Sequence, residues 1–211
     1  MKLYNYWRSS SSYRVRLALH FKGVPYQYIG VSLIKGDQHQ AEHRLRNPAG
    51  YVPVLEVEEN GSTALISQSV AIFEYLEERF PEKPLLPKSL VARGQVRALA
   101  ELINSGIQPF HNLSTLNHLK TLGVDDKKWA AHFIDQGLEG LEKLAAKTSG
   151  RFLFGDDFTW ADCCLIPQLF GARRFGGNVD AFPLLLRVEQ ACLALPSVQA
   201  ARPEVQPDAQ A

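Results

Sequence analysis

Four consecutive serines, Ser9-Ser10-Ser11-Ser12, stand between an apolar, aromatic stretch and the first helical pattern of the chain. Serine at such a place is a favoured helix N-cap, and that structural role accounts for it unaided. The chemical reading comes from position. The start of a helix offers N–H groups without intrahelical partners and the positive end of the macrodipole, so an anion is stabilised there. A thiol held at that spot is favoured as its thiolate. The run contains no cysteine, so the thiol has to be brought in by a cofactor. Arg8 directly precedes the serines, where a guanidinium can hold a carboxylate through two parallel hydrogen bonds.

Two further pairs have both a plain and a functional reading. Val52-Pro53 opens a strand-like stretch, and proline is tolerated at a strand's first residue in any fold. The functional reading is that the valine backbone pairs with an extended peptide ligand. Gln68-Ser69 opens another helical pattern, where serine again suits a cap. Its hydroxyl, its N–H and the helix dipole together would grip a ligand carboxylate. Thr159-Trp160-Ala161-Asp162 has the Ser/Thr-x-x-Asp spacing of a capping box and is structural. Arg174 is the second arginine singled out for a substrate carboxylate. The six histidines, His39 and His111 among them, show no metal-ligand spacing, and a surface role is expected of them.

These residues need elements to hold them. Leu3 to Trp7 reads as a strand, residues 12–22 as a helix with Val15, Ala18 and Leu19 on one face, and Tyr26 to Val31 as a second strand. Gly23 is a helix stop. A weaker helical stretch precedes Asn47-Pro48. Two apolar runs flank Asn60-Gly61, the strongest short hairpin signal because both central residues of a type I′ turn need positive φ. A helix from Gln68 to Phe80 ends at Pro81. The order βαβαββα makes an α/β unit with a mixed sheet. Three prolines between Pro81 and Pro87 mark a linker. Beyond it the pattern is helical, with segments over 93–107, 127–147, 160–174 and 184–195. The polar, proline-bearing tail from Pro203 is expected to fray.

The chain has 211 residues, 23 Lys and Arg against 22 Asp and Glu, and 45% hydrophobic residues. That balance leaves no footprint for nucleic acid or an anionic membrane. No apolar run approaches the ~20 residues needed to span a bilayer. Cys163, Cys164 and Cys192 are too few for a disulfide framework or a zinc site. A cytoplasmic, reduced protein is expected.

The segment Arg8-Ser9-Ser10-Ser11-Ser12-Tyr13-Arg14-Val15-Arg16-Leu17-Ala18-Leu19 resembles the zeta-class signature of the glutathione transferase superfamily, Ser-Ser-Cys followed by Arg-Val-Arg-Ile-Ala-Leu. The similarity runs through Asn47-Pro48 with Val52-Pro53, Gln68-Ser69, Gly106-Ile107-Gln108-Pro109, Asn112-Leu113-Ser114, Ala161-Asp162 and Arg174-Phe175. It implies a thioredoxin-like, glutathione-binding domain over 1–81, a linker over 82–87, and an all-helical substrate and dimerisation domain over 88–211, usually as a homodimer. Matching positions imply that Ser9, Ser10, Ser11 and Ser12 surround the glutathione sulfur. Val52 and Pro53 meet the cysteinyl backbone, and Gln68 and Ser69 take the γ-glutamyl end. Gln38, Gln108, Asn112 and Ser114 are further contacts.

The activity implied is glutathione-dependent cis–trans isomerisation of a dicarboxylic enol acid, maleylacetoacetate, in aromatic-ring breakdown. Ser9, Ser10, Ser11 and Arg8 are the expected catalytic residues, and Arg8 and Arg174 the substrate contacts. Maleylpyruvate isomerisation, general conjugation of electrophiles and a non-enzymatic binding module are the alternatives. Ser11 stands where the signature has cysteine, which disfavours reductive dehalogenation and leaves isomerisation untouched.

Overall fold

A computed structural model describes residues 1–209, and their contacts divide the chain into two compact units. Residues 1–84 together with 196–209 form the first, and residues 85–195 the second.

The first unit is built on a four-stranded sheet. β1 (Lys2–Asn5) pairs in parallel with β2 (Gln27–Gly30) and antiparallel with β3 (Val54–Glu59), and β3 continues through a hairpin into β4 (Ser62–Ser67). The strand order is β2-β1-β3-β4. The hairpin turn carries positive φ at both Asn60 (52°) and Gly61 (77°), as the sequence requires. Between β1 and β2 runs α1 (Ser10–Lys22), ended by Gly23 in the left-handed conformation that glycine adopts without a Cβ penalty. α2 (Ala41–Arg46) precedes β3, and α3 (Ser69–Arg79) follows β4. The mixed βαβαββα order expected from the sequence is the one observed.

α1 is buried nearly all round. Val15, Leu17, Ala18 and Leu19 are fully inaccessible, and so are Arg14 and Arg16. At its end the Lys22 ammonium meets Glu77 at 2.8 Å and donates to the carbonyls of Phe80 and Lys83, both at 2.9 Å. Three donors find three acceptors, which is what makes a buried ammonium tolerable.

The tail departs from expectation. α9 (Pro196–Ala201) packs on α1, and a 3₁₀ turn follows at Pro203–Val205. Pro203 and Gln206 are buried, and the Gln206 amide donates to the carbonyls of Ala200 (3.1 Å) and Arg202 (2.7 Å). Residues 196–209 are packed because their partners lie at the other end of the sequence, out of reach of a composition argument; the last two residues of the tail lie outside the described ones.

The second unit is helical: α4 (Leu90–Gly106), α5 (Leu113–Thr121), α6 (Asp126–Ala145), α7 (Trp160–Phe175) and α8 (Pro183–Leu193). The sequence pattern anticipated four of these and missed α5. The predicted capping box is present at the start of α7, where the Asp162 carboxylate accepts the Thr159 N–H at 2.8 Å. Its second oxygen accepts the Leu153 N–H at 2.9 Å, so the cap also fastens the preceding loop. None of the helices among the described residues is long and apolar enough to cross a membrane.

Candidate functional site

The serine run divides by role. Ser9 is the N-cap of α1: its Oγ accepts the Ser12 N–H at 3.2 Å and its carbonyl accepts the Tyr13 N–H at 2.8 Å. Ser10 and Ser11 occupy the first turn and, like Ser9, are half-buried. Ser12 is fully buried, and its Oγ accepts the Tyr6 N–H at 3.4 Å. The structure therefore groups Ser9, Ser10 and Ser11 at the positive end of the helix and turns Ser12 inward to hold the chain leaving β1.

Arg8 sits just ahead of that end, half-buried. Its Nη2 donates to the Tyr6 hydroxyl at 3.2 Å, and the guanidinium lies 4.8 Å from the centre of the Trp7 ring. Stacking of this kind fixes a planar cation while leaving other donors to bind an anion.

The Val52-Pro53 bond is cis, and Val52 packs with Tyr4, Tyr6 and Val54 in one apolar cluster. The approach to it is held by two side chains that reach the same atom. His43 Nε2 and Asn47 Nδ2 each lie 3.0 Å from the Tyr51 carbonyl. Gly50 has φ +69°, and a Cβ there would stand 3.0 Å from the Gln38 carbonyl, so this turn needs glycine. Gln38 is buried beside His39, with its Oε1 lacking a hydrogen-bond partner.

Gln68 has φ 72° and ψ 122° at the N-cap of α3. A non-glycine residue held in so sparsely populated a region costs of order 1–3 kcal/mol, and such residues cluster at ligand sites. Ser69, next in line, is buried and its Oγ accepts from Arg14 Nη1 at 3.3 Å. This ties the first turn of α3 to α1 and sets a buried positive charge beneath the Gln68-Ser69 pair.

Arg14, Arg16, His43 and Asn47 were not singled out as site-supporting residues in the sequence. Charge usually marks a solvated face, so arginines inside a helical repeat give no local signal of burial. His111, expected at the surface, is buried: its Nε2 lies 3.2 Å from Gln168 Oε1 and its ring 5.2 Å from that of Phe175. His43 is buried as well.

The remaining candidates belong to the second unit. Gln108 Nε2 donates to Asn112 Oδ1 at 3.3 Å just before α5, and Ser114 is exposed in its first turn. Arg174 is exposed near the end of α7, 4.9 Å from the Phe175 ring centre. All three cysteines lie in this unit and are buried. Burial pushes the Cys192 thiol far up, away from thiolate formation. Among the described residues no group of three or more His, Cys, Asp or Glu side chains could hold a metal ion.

The first unit thus gathers two helix N-termini, each carrying serine, a strained glutamine, a cis X-Pro bond and a stacked arginine, all around the chain leaving β1 and the chain entering β3. Such an arrangement can hold an extended anionic peptide and favour a thiolate.

Comparison with known proteins is consistent with that chemistry. Residues 3–84 match the model of the glutathione S-transferase N-terminal domain, and residues 128–191 that of the C-terminal domain. A probable maleylacetoacetate isomerase 2 of Drosophila melanogaster is 44% identical over 98% of this chain and 89% of its own. A maleylpyruvate isomerase of a Ralstonia species is 42% identical over 99% of each. The crystal structure of maleylacetoacetate isomerase from Anaeromyxobacter dehalogenans with bound GSH superposes with a TM-score of 0.92 at 53% identity, covering 99% of this chain and 97% of that one. Another structure of the same isomerase holds dicarboxyethyl glutathione and citrate in its active site.

Proposed function

The chain belongs to the zeta class of the glutathione S-transferase family, and on that premise we propose that it is a glutathione-dependent cis–trans isomerase of maleylacetoacetate. The observation that carries the reading is the pairing of two serine-bearing helix N-termini, at Ser9 and Ser69, linked through the buried Arg14. The residues present fit glutathione. Ser9, Ser10 and Ser11 would stand around its sulfur, Val52 and Pro53 along its cysteinyl backbone, and Gln68 and Ser69 at its γ-glutamyl carboxylate. The buried, unpartnered Gln38 Oε1 offers one more acceptor.

When bound, glutathione supplies a thiolate that adds to the cis double bond, permits rotation about the resulting single bond, and leaves again unconsumed. The protein's part is electrostatic. Serine hydroxyls and the α1 dipole lower the cost of the negative sulfur, each charge-assisted hydrogen bond contributing about 1.5–3 kcal/mol. Arg8, held over Trp7 and against Tyr6, orients a substrate carboxylate and offsets the charge that develops beside it. Gln108, Asn112, Ser114 and Arg174 are assigned to ligand contact by family resemblance. By the same resemblance, residues 1–81 bind glutathione and 88–211 serve substrate and dimerisation, with the correction that residues 196–209 pack with the first unit. The protein works in the cytoplasm as a homodimer in aromatic-ring breakdown. Ser11 in place of cysteine, with Cys163, Cys164 and Cys192 buried elsewhere, disfavours reductive dehalogenation, which needs a thiol to resolve a mixed disulfide.

The test compares maleylacetoacetate, maleylpyruvate and an aryl halide in the presence of glutathione. Isomerisation of the first without consumption of glutathione is expected. Turnover of the aryl halide alone would overturn the reading. Arg8→Ala should lower kcat/KM for the dicarboxylate on the order of 100-fold while glutathione affinity stays within about threefold.

A further inference from the structure

We propose that the C-terminal segment acts on the glutathione site from behind, with Asp208 as a positioning residue for the loop that carries Arg8 and Ser9. The inference rests on the reading of that loop as the thiol-activating site.

The loop between β1 and α1 is only four residues long, Tyr6 to Ser9. Its Trp7 peptide groups are held on both sides. The Trp7 N–H donates to Asp208 Oδ2 at 3.2 Å. The Trp7 carbonyl accepts from Arg16 Nη2 at 2.9 Å. Arg16 is fully buried, and its Nη1 donates to Asn5 Oδ1 at 3.0 Å and to the Tyr6 carbonyl at 3.4 Å. Its Nε donates to the carbonyl of Ala201, in the same C-terminal segment, at 3.1 Å. The other carboxylate oxygen of Asp208 accepts the Tyr28 hydroxyl. One carboxylate and one guanidinium therefore clamp a single dipeptide, and each is tied in turn to a further element.

Facing this clamp among the described residues are Tyr28 on Asp208, the Tyr13 ring 5.2 Å from the Arg16 guanidinium, and Tyr26 and His20 near the same guanidinium. Burial opposes the Arg16 charge, and Asp208 is among the groups that support it. The clamp matters because the next two residues are Arg8 and Ser9. A site that must hold reacting groups within about 0.5 Å depends on the residues that fix its backbone. Ser9 N–H donates to the Tyr6 carbonyl at 3.0 Å, the same carbonyl Arg16 holds, so displacement at Trp7 reaches the cap of α1 directly. Asp208 accepts from the Trp7 N–H and the Tyr28 hydroxyl, so its effect on the serines passes through the Trp7 backbone.

The experiment uses the full chain with Asp208→Ala, Asp208→Asn and Tyr28→Phe. Five measurements are made: amide hydrogen exchange from Trp7 to Ser12, the pH titration of the bound glutathione thiol by ultraviolet absorbance, glutathione affinity by calorimetry, the steady-state kcat and KM for maleylacetoacetate, and Tm. Asp208→Ala should speed exchange at Trp7, Arg8 and Ser9 by about tenfold or more, the size set by losing one hydrogen bond to a charged acceptor. It should also move the thiol titration to higher pH and lower kcat more than it raises KM. Asp208→Asn keeps an acceptor oxygen and should restore most of each. Tyr28→Phe should show a smaller change in the same direction. Unchanged exchange and thiol titration in Asp208→Ala would overturn the proposal. So would equal losses in the alanine and asparagine variants that merely follow Tm. A wild-type chain that failed to bind glutathione would overturn the functional reading instead, and loop exchange would still decide the clamp.

Discussion

At the scale of residues, the serine run shows one residue type doing separate jobs within a single helical turn. Ser9 caps, Ser10 and Ser11 lie half-buried in the first turn, and Ser12 is a buried acceptor for the Tyr6 N–H. The roles predict different consequences. Ser9→Ala removes the cap, costs about 1 kcal/mol of stability, and should raise the pKa of the bound thiol. Ser11→Ala should raise that pKa with a smaller loss of stability. Ser12→Ala should leave the thiol titration in place yet destabilise by about 1–3 kcal/mol, because a buried N–H is left without its acceptor. Thiolate absorbance against pH, read beside chemical denaturation, separates the three. A titration that stayed put in both the Ser9 and Ser11 variants would remove the run from thiol activation.

Among the elements, α7 carries the clearest energetic signature. Asp162 is fully buried at its start, and its pKa is pushed up to about 6 by desolvation, against a usual 3.8, although three hydrogen bonds from Leu153 and Thr159 pull the other way. The folded chain thus binds this proton more tightly than the unfolded chain. Its contribution to stability is greatest at low pH, declines as pH rises from about 4 to 6, and is level above. The range corresponds to at most about 3 kcal/mol. The stability difference between wild type and Asp162→Asn should therefore narrow between pH 4 and 7; a difference independent of pH would refute the buried-carboxylate account. Elements also differed in how openly the sequence declared them. Asn60-Gly61, Gly23 and the apolar spacing of α3 and α6 act through local geometry, so they were readable. α9 and the ordered tail were not, because Arg16 reaches Ala201 and Trp7 reaches Asp208 across most of the chain. The site was legible where it consists of helix starts, at Ser9 and Ser69. It was opaque where buried arginines and Tyr51-holding side chains support those starts, since Arg14 and Arg16 within a helical repeat look like solvated charges.

For the molecule as a whole, association between copies depends on net charge and on the apolar side chains left in solvent. Formal net charge is +1, so copies of the chain repel one another only weakly. Each unit leaves large apolar side chains in solvent: Leu45 and Tyr51 in the first, 84% and 50% exposed, and Leu90 and Val91 in the second, 84% and 73% exposed. Leu90 and Val91 occupy the first turn of α4, behind the Ser89 cap, where their side chains lie in solvent. An interface of standard size, about 1,600 Å² in total, would give them a purpose. Aspartate at a helix N-terminus is favourable, so Leu90→Asp with Val91→Asp should spare α4 while placing two charges in any contact made there. Sedimentation velocity should find the wild-type chain at twice its 23.6 kDa and the double variant at the single value, with Tm of the dilute proteins showing whether the fold survives. A wild-type monomer, or a variant that stays dimeric, would remove the first turn of α4 from the interface between copies.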